Sequence, residues 1–269
     1  MREKIAIIVS GGGMSCSYIA GALLALAEKH NIREPSILIG GSGGIITAAY
    51  YVTRQYKDIP YIAENYLTSK KTINLKRFWR IVDIDYIIDG IVKKEAPLDM
   101  KKLKNAKTNF IIALTNADNG MIRYFSNKEY IDLFEAMRAT LAMPIAYGKK
   151  ININNEHFID TYISANTELN ILKAIELGIK KIIVIDNKCS HPLNMKIFRL
   201  WLKRQNKLFQ KNYKAQEEII NNFKIPKNVK IININPKKPL NIHTFNNNIK
   251  NIQETMNQGY NQVAKMKGL

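Results

Sequence analysis

Cysteine is nearly absent from this chain, with two thiols, Cys16 and Cys189, in 269 residues. A disulfide framework is thereby excluded, and a reducing compartment fits. Histidine is as scarce. The four residues, His30, His157, His191 and His243, are scattered, and no Cys/His cluster has zinc spacing. No apolar run reaches the roughly 18 residues that a membrane span needs. The early run "KIAIIV" is too short for a secretory leader and passes straight into glycines. A soluble cytoplasmic protein is therefore expected. Acidic residues are few, 22 Asp and Glu against 41 Lys and Arg, for a formal charge of +19. That surplus suits an anionic partner such as lipid headgroups, nucleic acid or an acidic protein. A bias in genome base composition explains it equally well, because the basic residues are mostly lysine and Asn and Ile are also abundant. No low-complexity tract stands out, and 46% of residues are hydrophobic, enough for one sizeable core.

What the sequence does have is glycine in two places. Eight of its fourteen glycines fall between Gly11 and Gly44. "KIAIIV" (4–9) reads as a buried strand, "SGGG" (10–13) as a turn and "SYIAGALLALAEKH" (17–30) as an apolar helix. The unit repeats with a short strand at 36–39, the turn "GGSGG" and a helix over 44–56. This is the βαβ rhythm of a parallel sheet with helices on its faces. Further on, 108–127 predicts two strands joined by "NADNG", 128–144 a helix stopped by Pro144, and 149–160 a hairpin ending at Asp160. A helix and a parallel-type strand follow over 167–186. Residues 196–223 predict one long amphipathic helix, 228–236 a last strand, and 246–266 a closing helix. No repeat or linker marks a second domain. One domain over 1–269 is expected, with a motif-bearing core at 4–186 and an extension at 187–269.

Gly40-Gly41-Ser42-Gly43-Gly44 satisfies G-x-S-x-G, with a strand predicted before it and a helix after it. That context makes Ser42 a candidate nucleophile on a sharp elbow, where small neighbours allow the tight turn and a helix N-terminus favours negative charge. Gly11, Gly12 and Gly13 follow the first strand and precede a helix, so their N–H groups are candidates for an oxyanion hole. The glycines do not form a nucleotide loop, because Met14, Ser15 and Cys16 break G-x-G-x-x-G and no Walker lysine follows. The residues alone leave the base open. His243 is the one downstream histidine placed for a Ser-His-Asp arrangement. Asp160 read alone is a cap or turn residue, and Asp186 a strand-end turn residue.

"GGGMS" with its "AG" helix, "IGGSGG", "RATLAMP", "FID" before a helix, and "GIKKIIVID" together resemble the patatin-like phospholipase family. The resemblance runs from Ile5 to Asp186, and "FWRIVDIDYIIDG" and "APLDM" resemble connecting segments of bacterial members. It implies a three-layer α/β/α fold with a mainly parallel sheet. It implies Ser42 as nucleophile, Asp160 as general base in a dyad without histidine, and Gly11 to Gly13 as oxyanion hole. It implies hydrolysis of acyl esters, usually in glycerolipids, without calcium or another cofactor. The chain departs from the family pattern at two places. Ser15 and Cys16 stand where a basic residue and glycine are usual, and Thr161 and Tyr162 follow Asp160 where glycines are usual. A different class of reading is a catalytically impaired relative that binds anionic lipid or a partner.

Over 188–238 the chain has thirteen basic and two acidic residues. Lys196, Arg199, Trp201, Lys203 and Arg204 are candidates for contact with an anionic membrane. The alternative is a core helix with a solvated basic face. No nucleic-acid motif supports a specific nucleic-acid partner.

Overall fold

The computed structural model describes residues 3–77, 80–188 and 192–269, with the side chains of 192–195 left aside. Eight strands form one sheet: β1 (Ile5–Val9), β2 (Ile37–Gly40), β3 (Asn109–Asn116), β4 (Ile122–Ser126), β5 (Ile151–Ile153), β6 (Glu156–Ile159), β7 (Lys181–Ile185) and β8 (Lys230–Ile234). Bonded neighbours run β5-β6-β3-β2-β1-β7-β8, and β4 also pairs with β3. The β3-β2-β1-β7-β8 portion is parallel. β1 reads as an unbroken apolar run because both of its faces are covered. Ile7 and Val9 point into one core, and Ala6 and Ile8 into the other.

The larger core lies under α1 (Ser17–Lys29), α2 (Ser42–Val52), α5 (Leu133–Leu141) and α9 (Ile249–Ala264). The opposite face is closed by α6 (Thr167–Glu176). Helix, sheet and helix make the expected three-layer α/β/α architecture. Between α2 and β3 lie α3 (Asp58–Ile62), a π-helical segment Tyr86–Glu95 and α4 (Met100–Asn105). α9 crosses α1 backbone to backbone. A Cβ added at Gly21 would stand 1.8 Å from Met256 O, and one at Gly259 would stand 2.1 Å from Tyr18 O.

Several predicted helices change their bounds, the closing one from 246–266 to Ile249–Ala264. The second starts at Ser42 and ends at Val52, beyond which Arg54 is left-handed with φ 60°. The helix expected over 128–144 spans Leu133–Leu141, because Asp132 caps it by accepting from the N–H groups of Phe134 and Glu135. The long helix expected over 196–223 is two helices, α7 (Pro192–Leu202) and α8 (Lys207–Asn221). Asn206 accepts from the Phe209 N–H at 2.8 Å and starts the second one. The two then fold on each other, with Trp201 packed at 5.6 Å, edge to face, on Phe209.

Candidate active site

β2 ends at Gly40 and α2 begins at Ser42, so a single residue makes the turn. Ser42 sits in the left-handed region at φ 54°. For a residue with a Cβ this conformation costs on the order of 1–3 kcal/mol and persists only if its surroundings hold it. They do so through Thr140. The Ser42 N–H donates to Thr140 Oγ1 at 2.8 Å, and the Thr140 hydroxyl donates to Ala113 O at 3.2 Å, all buried. The elbow glycines are required by close approach. A Cβ on Gly40 would stand 2.3 Å from Val9 Cγ2, and one on Gly44 would stand 2.2 Å from Ser10 O.

Sheet register brings Asp160 to this point. Ile111 and Ile112 of β3 pair with both β2 and β4, so those strands flank β3 on opposite sides. Thr115 pairs with β4 and with Ile159 of β6. β6 therefore lies on the β2 side of β3, in the place that β2 vacates after Gly40. Its end delivers Asp160 beside the elbow. Asp160 is buried, and its N–H donates to Ala142 O at 3.0 Å. Burial pushes its carboxyl up to about 7, against the opposing pull of hydrogen bonds from the Ser42 and Ser164 side chains. The Ser164 hydroxyl donates to Oδ1 at 3.5 Å.

Thr161 and Tyr162 are accommodated without strain, because neither is among the residues with positive φ. Thr161 is buried, with its Oγ1 2.7 Å from Thr115 Oγ1, while Tyr162 turns to solvent. At the other departure, Ser15 and Cys16 are buried in a single 3₁₀ turn, Gly13–Cys16, ahead of α1. Cys16 Sγ lies 3.7 Å from Asn187 Nδ2. Cys189 and His191 lie outside the described residues, as do Phe78 and Trp79 of the connecting segment.

The three glycines of the turn differ in surroundings. Gly12 and Gly13 have φ of 135° and 57°, and both line a cavity with Ser42. Gly11 packs on Ser42: a Cβ there would stand 2.9 Å from Ser42 Cβ, and its carbonyl accepts from Asn187 Nδ2 at 2.8 Å.

Two cavities meet at Ser42. One, of about 110 Å³, runs inward among Ile62, Ile73, Ile87, Ile91 and Val92. The other, of about 320 Å³, opens outward past Asp160 to Ile145, Tyr162 and Ile197. The sequence did not single out their walls. Neither cavity is lined by His243, which opens instead on a separate cleft with Ser15, Lys188, Lys237 and Lys238. The fold thus brings Asp160, and not His243, to Ser42. Asp186 is a turn residue, accepting from the Lys188 N–H at 2.9 Å.

Of the candidate membrane-contact residues, Lys196, Arg199, Lys203 and Arg204 are exposed. Trp201 is turned inward against Phe198 and Phe209. Among the described side chains of α7 the exposed apolar ones are Ile197 and Leu200. Among the described residues no group of three or more His, Cys, Asp or Glu could hold a metal ion.

A model of the patatin-like phospholipase family matches residues 7–173. The crystal structure of VipD from Legionella pneumophila is similar in fold, with a TM-score of 0.56 and 13% identity over 97% of this chain. This chain spans 66% of that one. A search of curated proteins gave no match.

Proposed function

The chain belongs to the patatin-like phospholipase family, and from that premise we propose that it is a lipid acyl hydrolase with Ser42 as nucleophile and Asp160 as general base. The observation that carries this reading is the placement of the two side chains on one cavity wall. A strained, buried serine stands beside a carboxyl whose pKa is pushed up to about 7, at the junction of two apolar cavities. A base with a pKa near the working pH is both deprotonated often enough and basic enough to act.

The Asp160 carboxylate takes the proton of Ser42 Oγ as Oγ bonds to the ester carbonyl carbon. Charge that develops on the carbonyl oxygen meets the N–H groups of Gly12 and Gly13 and the N-terminus of α2. As the tetrahedral intermediate collapses, the C–O bond to the alcohol breaks and Asp160 returns the proton to the leaving oxygen. Asp160 then deprotonates a water that attacks the acyl-serine; as the second tetrahedral intermediate collapses the C–Oγ bond breaks, Asp160 passes that proton to Ser42 Oγ, and the fatty acid leaves. No cofactor enters this scheme.

The reading treats residues 1–269 as one unit, because Thr244 and Ile197 of the extension line the same cavities as Ser42. We read α7 as a peripheral contact with an anionic membrane. Lys196 and Arg199 of α7, and Lys203 and Arg204 just after it, are exposed along with Ile197 and Leu200, and Ile197 lies at the cavity mouth. The purified protein is expected to release fatty acid from phospholipid vesicles. Ser42→Ala and Asp160→Asn are each expected to cut the rate by about 10³-fold or more, as loss of a nucleophile or its base does, with His243→Ala unaffected. Activity lost only in His243→Ala would replace the dyad with a histidine mechanism. Vesicle binding with no hydrolysis in any form would favour an impaired lipid-binding relative.

A further inference from the structure

β1, β7 and β8 end level with one another, since Val9 pairs with Ile185 and Ile185 with Ile234. β1 leads to β2 through α1, on the face of the larger core. β7 is entered from α6 and leads to β8 through α7 and α8. Leu169 of α6 packs with Phe209 and Tyr213 of α8, on the opposite face. Connections thus turn to opposite faces on the two sides of the β1–β7 pair. A crevice opens at such a point outside the carboxyl ends of the strands, and open α/β sheets bind small ligands there.

At this point the chain has a cleft of about 400 Å³, with Ser15 and Asn187, 1% and 3% exposed, on its buried side. Lys188, Lys237 and Lys238 line it, and among the described lining residues there is no carboxylate. Asp186 offsets one of the three cations, pairing with Lys188 at 3.0 Å. Pro236 and Pro239 bracket the other two and restrict the loop that carries them. α9 holds the same loop, with Gln262 Nε2 donating to Asn235 O at 2.7 Å and Gln258 Nε2 to Lys238 O at 3.1 Å. The fold therefore keeps like charges together on a restrained loop. A multiply charged anion relieves their repulsion, and lysine meets phosphate oxygens as a point charge.

The cleft backs onto the glycine turn but shares no lining residue with either cavity at Ser42. On one side, Asn187 Nδ2 donates to Gly11 O at 2.8 Å and the Asn187 N–H donates to Ser10 Oγ at 3.2 Å. On the other, the chain at Leu240 and Ile242 runs on to Thr244, whose carbonyl accepts the Met14 N–H at 3.1 Å. A ligand that bridges Lys188 to Lys237 and Lys238 spans the two segments that hold the turn.

We propose that this cleft binds a phosphate-bearing anion, either a soluble phosphomonoester or a lipid headgroup of the same chemistry, and that its occupancy steadies the glycine turn and raises turnover at Ser42. A ligand that engages both segments favours the arrangement in which both are in place. The binding stands on the cleft alone, and the effect on rate rests on the hydrolase reading above.

Binding is read by calorimetric titration of the full chain with inorganic phosphate, with glycerol 3-phosphate and with monomeric dihexanoyl phosphatidic acid. Lys237→Ala with Lys238→Ala is expected to weaken phosphate binding about tenfold or more, as loss of hydrogen bonds to a charged group does. Lys101→Ala with Lys104→Ala removes the same charge from exposed positions of α4, ahead of β3, and is expected to leave the isotherm unchanged. Whichever of glycerol 3-phosphate and the lipid binds more tightly at the two cleft lysines identifies the source. No phosphate binding, binding that survives the cleft variant, or an equal loss in the α4 variant overturns the site. With p-nitrophenyl butyrate as substrate, phosphate is expected to raise kcat about fivefold, the low end of usual coupling between two sites, with little change in KM and no effect in the cleft variant. A kcat indifferent to phosphate that calorimetry shows bound in the cleft overturns the coupling and leaves the dyad standing. No turnover under any condition overturns the hydrolase reading together with the coupling, and the titration still decides the site.

Discussion

At the residue scale the account depends on how a serine is kept at φ 54° beside a buried acid. Thr140 is a positioning residue, since it accepts the Ser42 N–H and contacts no reacting atom. Thr140→Val keeps the volume and removes the acceptor, so a fall in kcat with little change in KM is expected, and Thr140→Ser is expected to restore it. Asp160 makes two linked predictions. Its base form appears only as pH rises through about 7, so kcat/KM is expected to climb through that pH and level off above it. The same shift costs stability. The folded pKa is raised above the ordinary carboxylate value, so between about 4 and 7 the folded state holds the proton that the unfolded chain has released. Stability is full below that window and declines across it. Asp160→Asn is therefore expected to melt at a higher temperature than the native protein at pH 8, with the gap closing towards pH 4 in a thermal scan. An equal gap at both pH values would contradict the buried, poised carboxyl.

At the element scale, one ion-pair network anchors the wall of the inner cavity. Arg138, 9% exposed at its side chain, pairs with Asp85 at 2.6 Å and Asp89 at 2.8 Å, and so ties α5 to the π-helical segment Tyr86–Glu95. Burial raises both carboxyls, but hydrogen bonds outweigh it, from Tyr147 and Lys149 on Asp85 and from Lys93 and Arg138 on Asp89, and hold both below their ordinary value. Stability from this network is present above the ordinary carboxylate pKa and lost as pH falls through the lowered one. Arg138→Met is expected to destabilise by about 2–4 kcal/mol in urea unfolding, below the upper range for a fully buried pair because both acids are partly solvated. At the α1–α9 crossing, Gly259→Ala forces a methyl into Tyr18 O. A loss of about 1–3 kcal/mol is expected.

The elements differ in how readable they were from sequence. The two strand–turn–helix units were legible because apolar runs meet glycine clusters. The break between α7 and α8 was not, because Trp201, Leu202, Leu208 and Phe209 keep helical spacing across it. The only local signal was Asn206 as a cap. Ser42 could be named from its neighbours alone. Asp160 could not, because its position beside Ser42 depends on β6 filling the place that β2 leaves, a matter of register between distant strands. The inner cavity was equally hidden, since its wall comes from a stretch with no clean periodicity.

At the scale of the whole molecule, the formal charge is +19, and Lys196 and Arg199 of α7 are exposed. Among the described residues no helix is long and apolar enough to cross a membrane, so contact with a bilayer through α7 would be peripheral. Sedimentation with anionic vesicles is expected to exceed that with neutral ones and to fall as salt shortens electrostatic reach. Lys203→Glu with Arg204→Glu is expected to weaken it further. Binding indifferent to both salt and these substitutions would return α7 to a purely structural role. The extension beyond the family match also helps to build the site, through Thr244 against Gly13 and Ile197 at the mouth.

The most direct test of the central claim is to treat the protein with a fluorophosphonate and locate the adduct by peptide mass spectrometry. The account predicts an adduct on Ser42, slowed strongly in Asp160→Asn and unchanged in His243→Ala. An adduct on another residue, or ester hydrolysis that persists in Ser42→Ala, would contradict it.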